Sequence, residues 1–223
     1  MNRDLINSII LSGCFLALFA IGELLYHRYK VRAEYTRKLS HFGTGILTFL
    51  FPVMLSNHWW VLALCSSFAL LLILSMKFNY LKSINAVDRE TVGSLCYPVS
   101  VYFCFLASSH YHDMVIFYLP ILILAISDPL AALFGKRWPM GKFSIMGQHK
   151  TLVGCTAFFV SSFSIALLFH IISLQSKPGE IIGYALLIAV LSTIVEALSS
   201  RGWDNLTIPL SILALHLSYY HLF

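Results

Sequence analysis

Residues 114–137 read MVIFYLPILILAISDPLAALFGKR. Asp128 is the one charged residue in 114–134, and a helix crossing a bilayer needs about 20 mainly apolar residues. This stretch therefore reads as a membrane span that ends at Gly135-Lys136-Arg137. The rest of the chain has the same character. Of its 223 residues, 58% are hydrophobic and 11% charged, whereas a soluble domain is about half apolar and a quarter charged. That excludes a soluble globular domain, a disordered chain and a disulfide scaffold. Further apolar runs lie at about 5–26, 41–56, 59–76, 93–109, 151–174, 181–198 and 206–222. The expected fold is all-α: a multi-pass transmembrane helical bundle of about eight spans, forming a single integral membrane domain over 1–223. The first run contains Glu23 and lacks a small-x-small cleavage site, so it reads as a retained span rather than a signal peptide.

Charge tests this layout independently. The connections after the first, third, fifth and seventh spans hold Arg28, Lys30, Arg32, Arg37, Lys38, Lys77, Lys82, Arg89, Lys136, Arg137, Lys142, Lys150 and Arg201. That is thirteen of the fifteen Lys and Arg, leaving only Arg3 and Lys177 for the other face. Cytoplasmic loops are enriched in Lys and Arg. Both termini are thus expected on the non-cytoplasmic side, with four loops in the cytoplasm. The net charge of +5 belongs to those loops, and no basic-aromatic surface domain exists for nucleic acid. The five cysteines (Cys14, Cys65, Cys96, Cys104 and Cys155) form no C-x-x-C pair and read as small buried hydrophobes. No internal repeat or linker divides the chain.

Ionisable groups at membrane depth are expensive and mark function first. Glu23 lies one helical turn before His27, and the two can neutralise each other. Asp128 and Glu196 differ, because each leads into a polar motif near the cytoplasmic end of its span. Asp128-Pro129 is followed by Ala131, Ala132 and Gly135, then by Lys136, Arg137, Lys142 and Lys150-Thr151, with Gly154 beyond. Carboxylate for metal, cations for phosphate oxygens and small residues for close backbone approach suit a triphosphate held with a divalent cation. Gly135 to Gly141-Lys142 is not a Walker loop, since the spacing is wrong and no Ser or Thr follows the lysine. The second motif, Glu196-Ala197-Leu198-Ser199-Ser200-Arg201-Gly202-Trp203-Asp204-Asn205, concentrates carboxylates, an arginine, an amide and hydroxyls. Asp204 or Asn205 can cap the last helix, and the remainder suits metal or phosphate ligation.

Two more segments reach the same face. Arg37-Lys38-Leu39-Ser40-His41 opens the second span, and Asp88-Arg89-Glu90-Thr91-Val92-Gly93-Ser94 opens the fourth. On the opposite face, His110-Tyr111-His112-Asp113 reads as a solvated turn, and His170 and His216 as satisfied core histidines. Convergence of four distant polar segments on one face argues for a site there. A transporter would instead place polar residues near the midplane, often in matched halves.

These motifs resemble the CTP-dependent polyprenol kinase family, which includes dolichol kinase, phytol kinase and the CTP-dependent diacylglycerol kinase of yeast. The matching pieces are Arg37-Lys38-Leu39-x-His41, Arg89-x-x-x-Gly93, Asp128-x-x-Ala131-x-x-x-Gly135-Lys136, Lys150-Thr151-x-x-Gly154 and Glu196-Ala197-Leu198-Ser199-x-x-Gly202-x-Asp204-Asn205. They cover about residues 37–209 in family order. The middle pieces also look like phosphatidate cytidylyltransferases, but Gln148-His149 stands where their signature commonly has Ser-Pro, which favours the kinase.

The resemblance implies an integral, multi-pass lipid kinase, in the cell membrane if the host is bacterial, with its active site on the cytoplasmic side. Its co-substrate is expected to be CTP, its cofactor Mg2+ or another divalent cation, and its partner a membrane lipid alcohol. Isoprenoid alcohols such as phytol, dolichol or farnesol, and diacylglycerol, all qualify. Asp128, Glu196 and Asp204 are the expected metal ligands. Lys136, Arg137 and Lys150 are expected to neutralise phosphates, with Thr151, Asn205 and Gly135 assisting, while Arg37, His41 and Arg89 close the site. Asp128, Asp204 and His41 all qualify to take the hydroxyl proton. The competing activities are cytidylyl transfer to phosphatidate and non-enzymatic transport.

Overall fold

The computed structural model describes residues 3–85, 92–173 and 178–222. Within them the elements run α1 (Arg3–His27), α2 (Ala33–Thr48), α3 (Phe51–Met54), α4 (His58–Lys77), α5 (Lys82–Asn85), α6 (Gly93–Tyr111), α7 (Val115–Arg137), β1 (Lys142–Ile145), β2 (Gln148–Thr151), α8 (Leu152–Ser173), α9 (Pro178–Leu198) and α10 (Asp204–Leu222). Helices α1, α4, α7, α8 and α9 are long and apolar enough to cross a membrane. Helix is the form expected there, because the bilayer core offers no water to pair backbone groups. The other three expected spans correspond to α2, which is 16 residues long, and to α6 and α10, which carry Ser, Tyr and His among their apolar residues.

The central helix is α7. Ile116, Phe117, Leu119, Ile121, Ile123 and Leu124 are almost fully buried. Its two sides belong to different packing clusters. One joins Phe117 and Ile121 to Phe15, Phe51, Leu64 and Val101 of α1, α3, α4 and α6. The other joins Leu119 and Ile123 to Phe158, Ile188 and Ile212 of α8, α9 and α10. Outward positions such as Ile9, Val53, Leu168 and Ile172 stay apolar while exposed, as expected where lipid is the solvent. Small residues let backbones approach. A Cβ on Gly45 of α2 would lie 2.8 Å from Ala125 of α7, and one on Gly154 of α8 would lie 3.0 Å from the Ala131 carbonyl.

Three expectations change. The chain is not purely α, because β1 and β2 form an antiparallel hairpin in which Ile145 pairs with Gln148. Its two-residue turn has φ of 48° at Met146 and 75° at Gly147, the left-handed geometry that matches strand twist. Second, α2 begins at Ala33 rather than 41, so Arg37-Lys38 sits inside a helix instead of ahead of one. Glu34 in its first turn favours this start by opposing the helix dipole. Third, the 110–113 turn is not merely solvated. Asp113 Oδ1 accepts from the Val115 N–H at 2.7 Å, and its Oδ2 lies 3.6 Å from His216 Nε2. His216 is buried and bonded to the Tyr184 hydroxyl at 2.7 Å. Of the cysteines, Cys65, Cys96 and Cys104 are buried, Cys155 is half-buried and Cys14 is exposed on α1.

Glu23 pairs with His27 at 3.1 Å as the spacing predicts. It also accepts from the Ser83 N–H at 2.7 Å, and the Thr36 hydroxyl donates to the Ser83 carbonyl at 2.7 Å. These bonds pin α5 against α1 and α2.

Candidate active site

A cavity of about 1030 Å³ opens where α2, α6, α7, β2, α8, α9 and α10 converge. Its polar end is lined by Arg37, Lys38 and His41, by Asp128, Gly135 and Lys136, by Lys150 and Thr151, and by Glu196, Asp204 and Asn205. Residues separated by more than 160 positions thus share one wall, as the motifs predicted. Two expected residues stand apart. Arg137 is exposed, with its guanidinium 5.7 Å from the Trp138 ring centre, and it does not line the cavity. Arg89 lies outside the described residues.

A buried ion pair joins Lys150 and Glu196. Lys150 Nζ donates to Glu196 Oε1 and, at 3.0 Å, to the Glu196 main-chain carbonyl. Their side chains are only 16% and 6% exposed. This bond fastens the hairpin to the end of α9. Asp128 lies within electrostatic reach of Asp204 and Glu196, and of Lys150 and Lys38. Pro129 follows it and cannot donate to the Ala125 carbonyl; Pro98 likewise leaves that of Ser94 without its usual donor. His41 sits near Asp204 and Arg37, with its ring beside the Leu124 backbone. Its Nε2 is buried and, among the described residues, has no hydrogen-bond partner. The Tyr97 ring stands edge-on to it at 5.8 Å.

Over 195 aligned residues the chain is 30% identical to a phytol kinase of Synechocystis sp., covering 87% of this chain and 83% of that protein. The chain belongs to the polyprenol kinase family. No protein-family model matches it, and neither does any solved structure. Residues from the polyprenol kinase motifs thus line one cavity.

Several of these polyprenol kinase motif residues do structural work beside the cavity. Thr151 Oγ1 accepts from the Gly154 N–H at 3.0 Å and caps α8. A Cβ on Gly135 would lie 2.7 Å from that hydroxyl, so this glycine serves the α7–α8 crossing. Lys136 Nζ donates to Glu34 Oε2 at 2.7 Å, linking α7 to α2 with both side chains about half exposed. A Cβ on Gly93 would lie 2.6 Å from Asn205 Nδ2, and the Val92 N–H donates to the Arg201 carbonyl at 3.0 Å. These contacts hold the start of α6 on the loop before α10, where Arg201 and Gly202 have φ of 53° and 89°. Asp204 Oδ1 accepts from the next N–H, that of Asn205, at 3.0 Å.

Among the described residues no three His, Cys, Asp or Glu side chains are grouped so as to hold a metal ion by themselves. Lys38, Tyr97, Gln148 and His149 also line the cavity, although the sequence assigned none of them a role there. Lys38 was visible beside Arg37 in the motif, and both cations line the cavity.

Proposed function

We propose that the protein transfers the terminal phosphate of CTP to the hydroxyl of a membrane lipid alcohol, at the cytoplasmic face of an eight-span bundle whose termini lie outside. The observation that carries this reading is a single cavity with a charged end, holding the family motifs, and an apolar end inside the bundle. Phosphoryl transfer needs little beyond positioning and charge neutralisation, and both are on hand. Arg37 and Lys38 face the polar end with Lys136 at its edge. Lys150 is held against Glu196, so its charge is fixed in place before any substrate arrives. CTP is the donor that the family resemblance implies.

The donor set fits a divalent cation such as magnesium. Such an ion commonly uses one or two carboxylates plus substrate phosphates and water. Asp128 and Asp204 would hold it, beside the buried Glu196 Oε2, which has no hydrogen-bond partner among the described residues. When bound, the ion supplies positive charge to the phosphate oxygens. In the transfer, the lipid oxygen bonds to the terminal phosphorus, the bond from that phosphorus to the bridging oxygen breaks, and CDP leaves. His41 would take the hydroxyl proton. Its buried Nε2, which has no hydrogen-bond partner among the described residues, is the nitrogen open to that proton.

The test uses purified protein with CTP labelled at either the γ or the α phosphate and a panel of lipid alcohols. The γ-label is expected in the lipid and the α-label in CDP. Recovery of the γ-label in pyrophosphate, with the α-label in lipid, would replace this reading with cytidylyl transfer. Competition by other nucleoside triphosphates checks the choice of donor.

A further inference from the structure

A second, smaller pocket of about 430 Å³ adjoins the reaction cavity. It is lined by Tyr26 and His27 at the end of α1, by Lys30, Val31 and Arg32 of the following turn, and by Lys82 at the start of α5. Tyr26 and Arg32 line both cavities, so the two share a wall. His27, Lys30, Val31 and Lys82 do not line the larger one, and none belongs to the family motifs. The volume lies within the range of sites for one small molecule, about 300–1,000 Å³.

Positive charge dominates this pocket. Lys30, Arg32 and Lys82 meet there, and among the described residues no carboxylate lines it. Two carboxylates on the adjoining helices are engaged elsewhere. Glu23 pairs with His27 and accepts from the Ser83 N–H, and Glu34 pairs with Lys136. The backbone presents these cations at a cost. Lys30 has φ of 54°, and Leu81, just before Lys82, has φ of 48°, the left-handed region that glycine adopts most readily. The Val31 N–H donates to the Leu25 carbonyl at 3.1 Å, which folds the turn back onto the end of α1. Arg32 directly precedes α2, where the helix dipole disfavours positive charge. A bound anion offsets the mutual repulsion of the three cations and the opposing dipole together.

Its place along α1 points to the source of that anion. Ile21 and Leu24 are apolar and exposed just before the pocket, and Tyr29 is exposed just after it. Exposed apolar side chains on a helix long enough to span face acyl chains, and tyrosine gathers at headgroup level. The pocket therefore lies where acyl chains give way to headgroups. We propose that it binds the phosphate of an anionic phospholipid headgroup, with the lipid's acyl chains along Ile21 and Leu24. Lys30, Arg32 and Lys82 supply charge-assisted hydrogen bonds to the phosphate oxygens. A zwitterionic headgroup brings its own cation and is disfavoured beside three more. This inference needs the chain in a membrane but is independent of the reaction proposed above. Because Tyr26 and Arg32 are shared, a lipid held here also braces one wall of the reaction cavity.

The test uses full-length protein in phosphatidylcholine nanodiscs doped with a phosphatidylglycerol that carries a diazirine beside its headgroup. Photolysis should label residues 21–32 and 81–82. Unlabelled phosphatidylglycerol should suppress that label, whereas additional phosphatidylcholine should not. Lys30→Gln and Lys82→Gln should each weaken the lipid's affinity about fivefold, the worth of one basic residue at an anionic surface, and about 25-fold together. Lys142→Gln removes an exposed cation of the hairpin that is not in the pocket. It should leave the affinity within about twofold, as expected for a screened surface charge away from the bound anion. Equal losses from all three single variants would reduce the effect to general surface charge and overturn the site. Label spread evenly around the bundle would do the same. Suppression of the label by inorganic phosphate or CTP would assign the pocket to a free phosphate and overturn the lipid source.

Discussion

Removing the Lys150 side chain while keeping Glu196 should unseat the hairpin and the end of α9 together. Lys150→Ala leaves a carboxylate that is 6% exposed, with neither oxygen bonded to that ammonium. Breaking a buried ion pair from one side costs about 3–5 kcal/mol. At roughly 2–4 °C per kcal/mol for a chain of this size, the midpoint of thermal unfolding should drop by about 6–20 °C. The paired variant Lys150→Met/Glu196→Leu removes both desolvated charges and should unfold within about 1 kcal/mol of the native protein, or above it. Its phosphoryl transfer should nevertheless fall by at least about 100-fold, because a fixed cation at the phosphates is gone. Thermal scans at one heating rate, with transfer of γ-label from CTP measured on the same preparations, read both effects. A fall of less than about 1 kcal/mol in Lys150→Ala, or an active double variant, would refute the assignment of this pair.

His41→Gln should lower kcat by about two to four orders of magnitude, the range for a positioned general base, with little change in KM for the nucleotide. A kcat within tenfold of native would return the proton to a carboxylate. Arg37→Ala should raise the nucleotide KM, whereas Arg137→Ala should leave it within about twofold, because Arg137 stacks on Trp138 outside the cavity. Equal effects from the two arginines would contradict the placement. Gly154→Val should destabilise the protein by about 1–3 kcal/mol through overpacking, since even a Cβ there meets the Ala131 carbonyl at 3.0 Å; unchanged thermal stability would show that α7 and α8 separate readily.

The helical frame was legible because membrane spans are set by local composition. The run 114–134 becomes the buried α7, and the apolar runs around it become the other long helices. The gathering of Asp128, Glu196 and Asp204 was legible for a related reason: carboxylates are so costly in this chain that few can be incidental. What lay beyond the sequence depends on three-dimensional partners. Arg137 and Lys150 look alike in a motif, yet one stacks on an exposed tryptophan and the other lies in a buried ion pair. Residues 33–40 read as an interfacial loop because they are polar, but they form the first turns of α2, with a cavity available to their cations. The hairpin had a faint signal in Met146-Gly147 between alternating residues, too short to outweigh a helical background. The apolar end of the cavity had none, since Phe15, Phe19, Phe68 and Leu72 belong to spans whose inward faces only packing defines.

The central claim is that the carboxylates at the charged end of the cavity carry phosphoryl transfer to a lipid alcohol. Asp128→Asn and Asp204→Asn, each purified and shown to retain native thermal stability, should be compared with the unmodified protein for γ-label appearing in phytol. The account predicts stoichiometric transfer by the unmodified protein over successive turnovers and a loss of at least about 100-fold in each variant. Transfer within tenfold of native in both variants would contradict it.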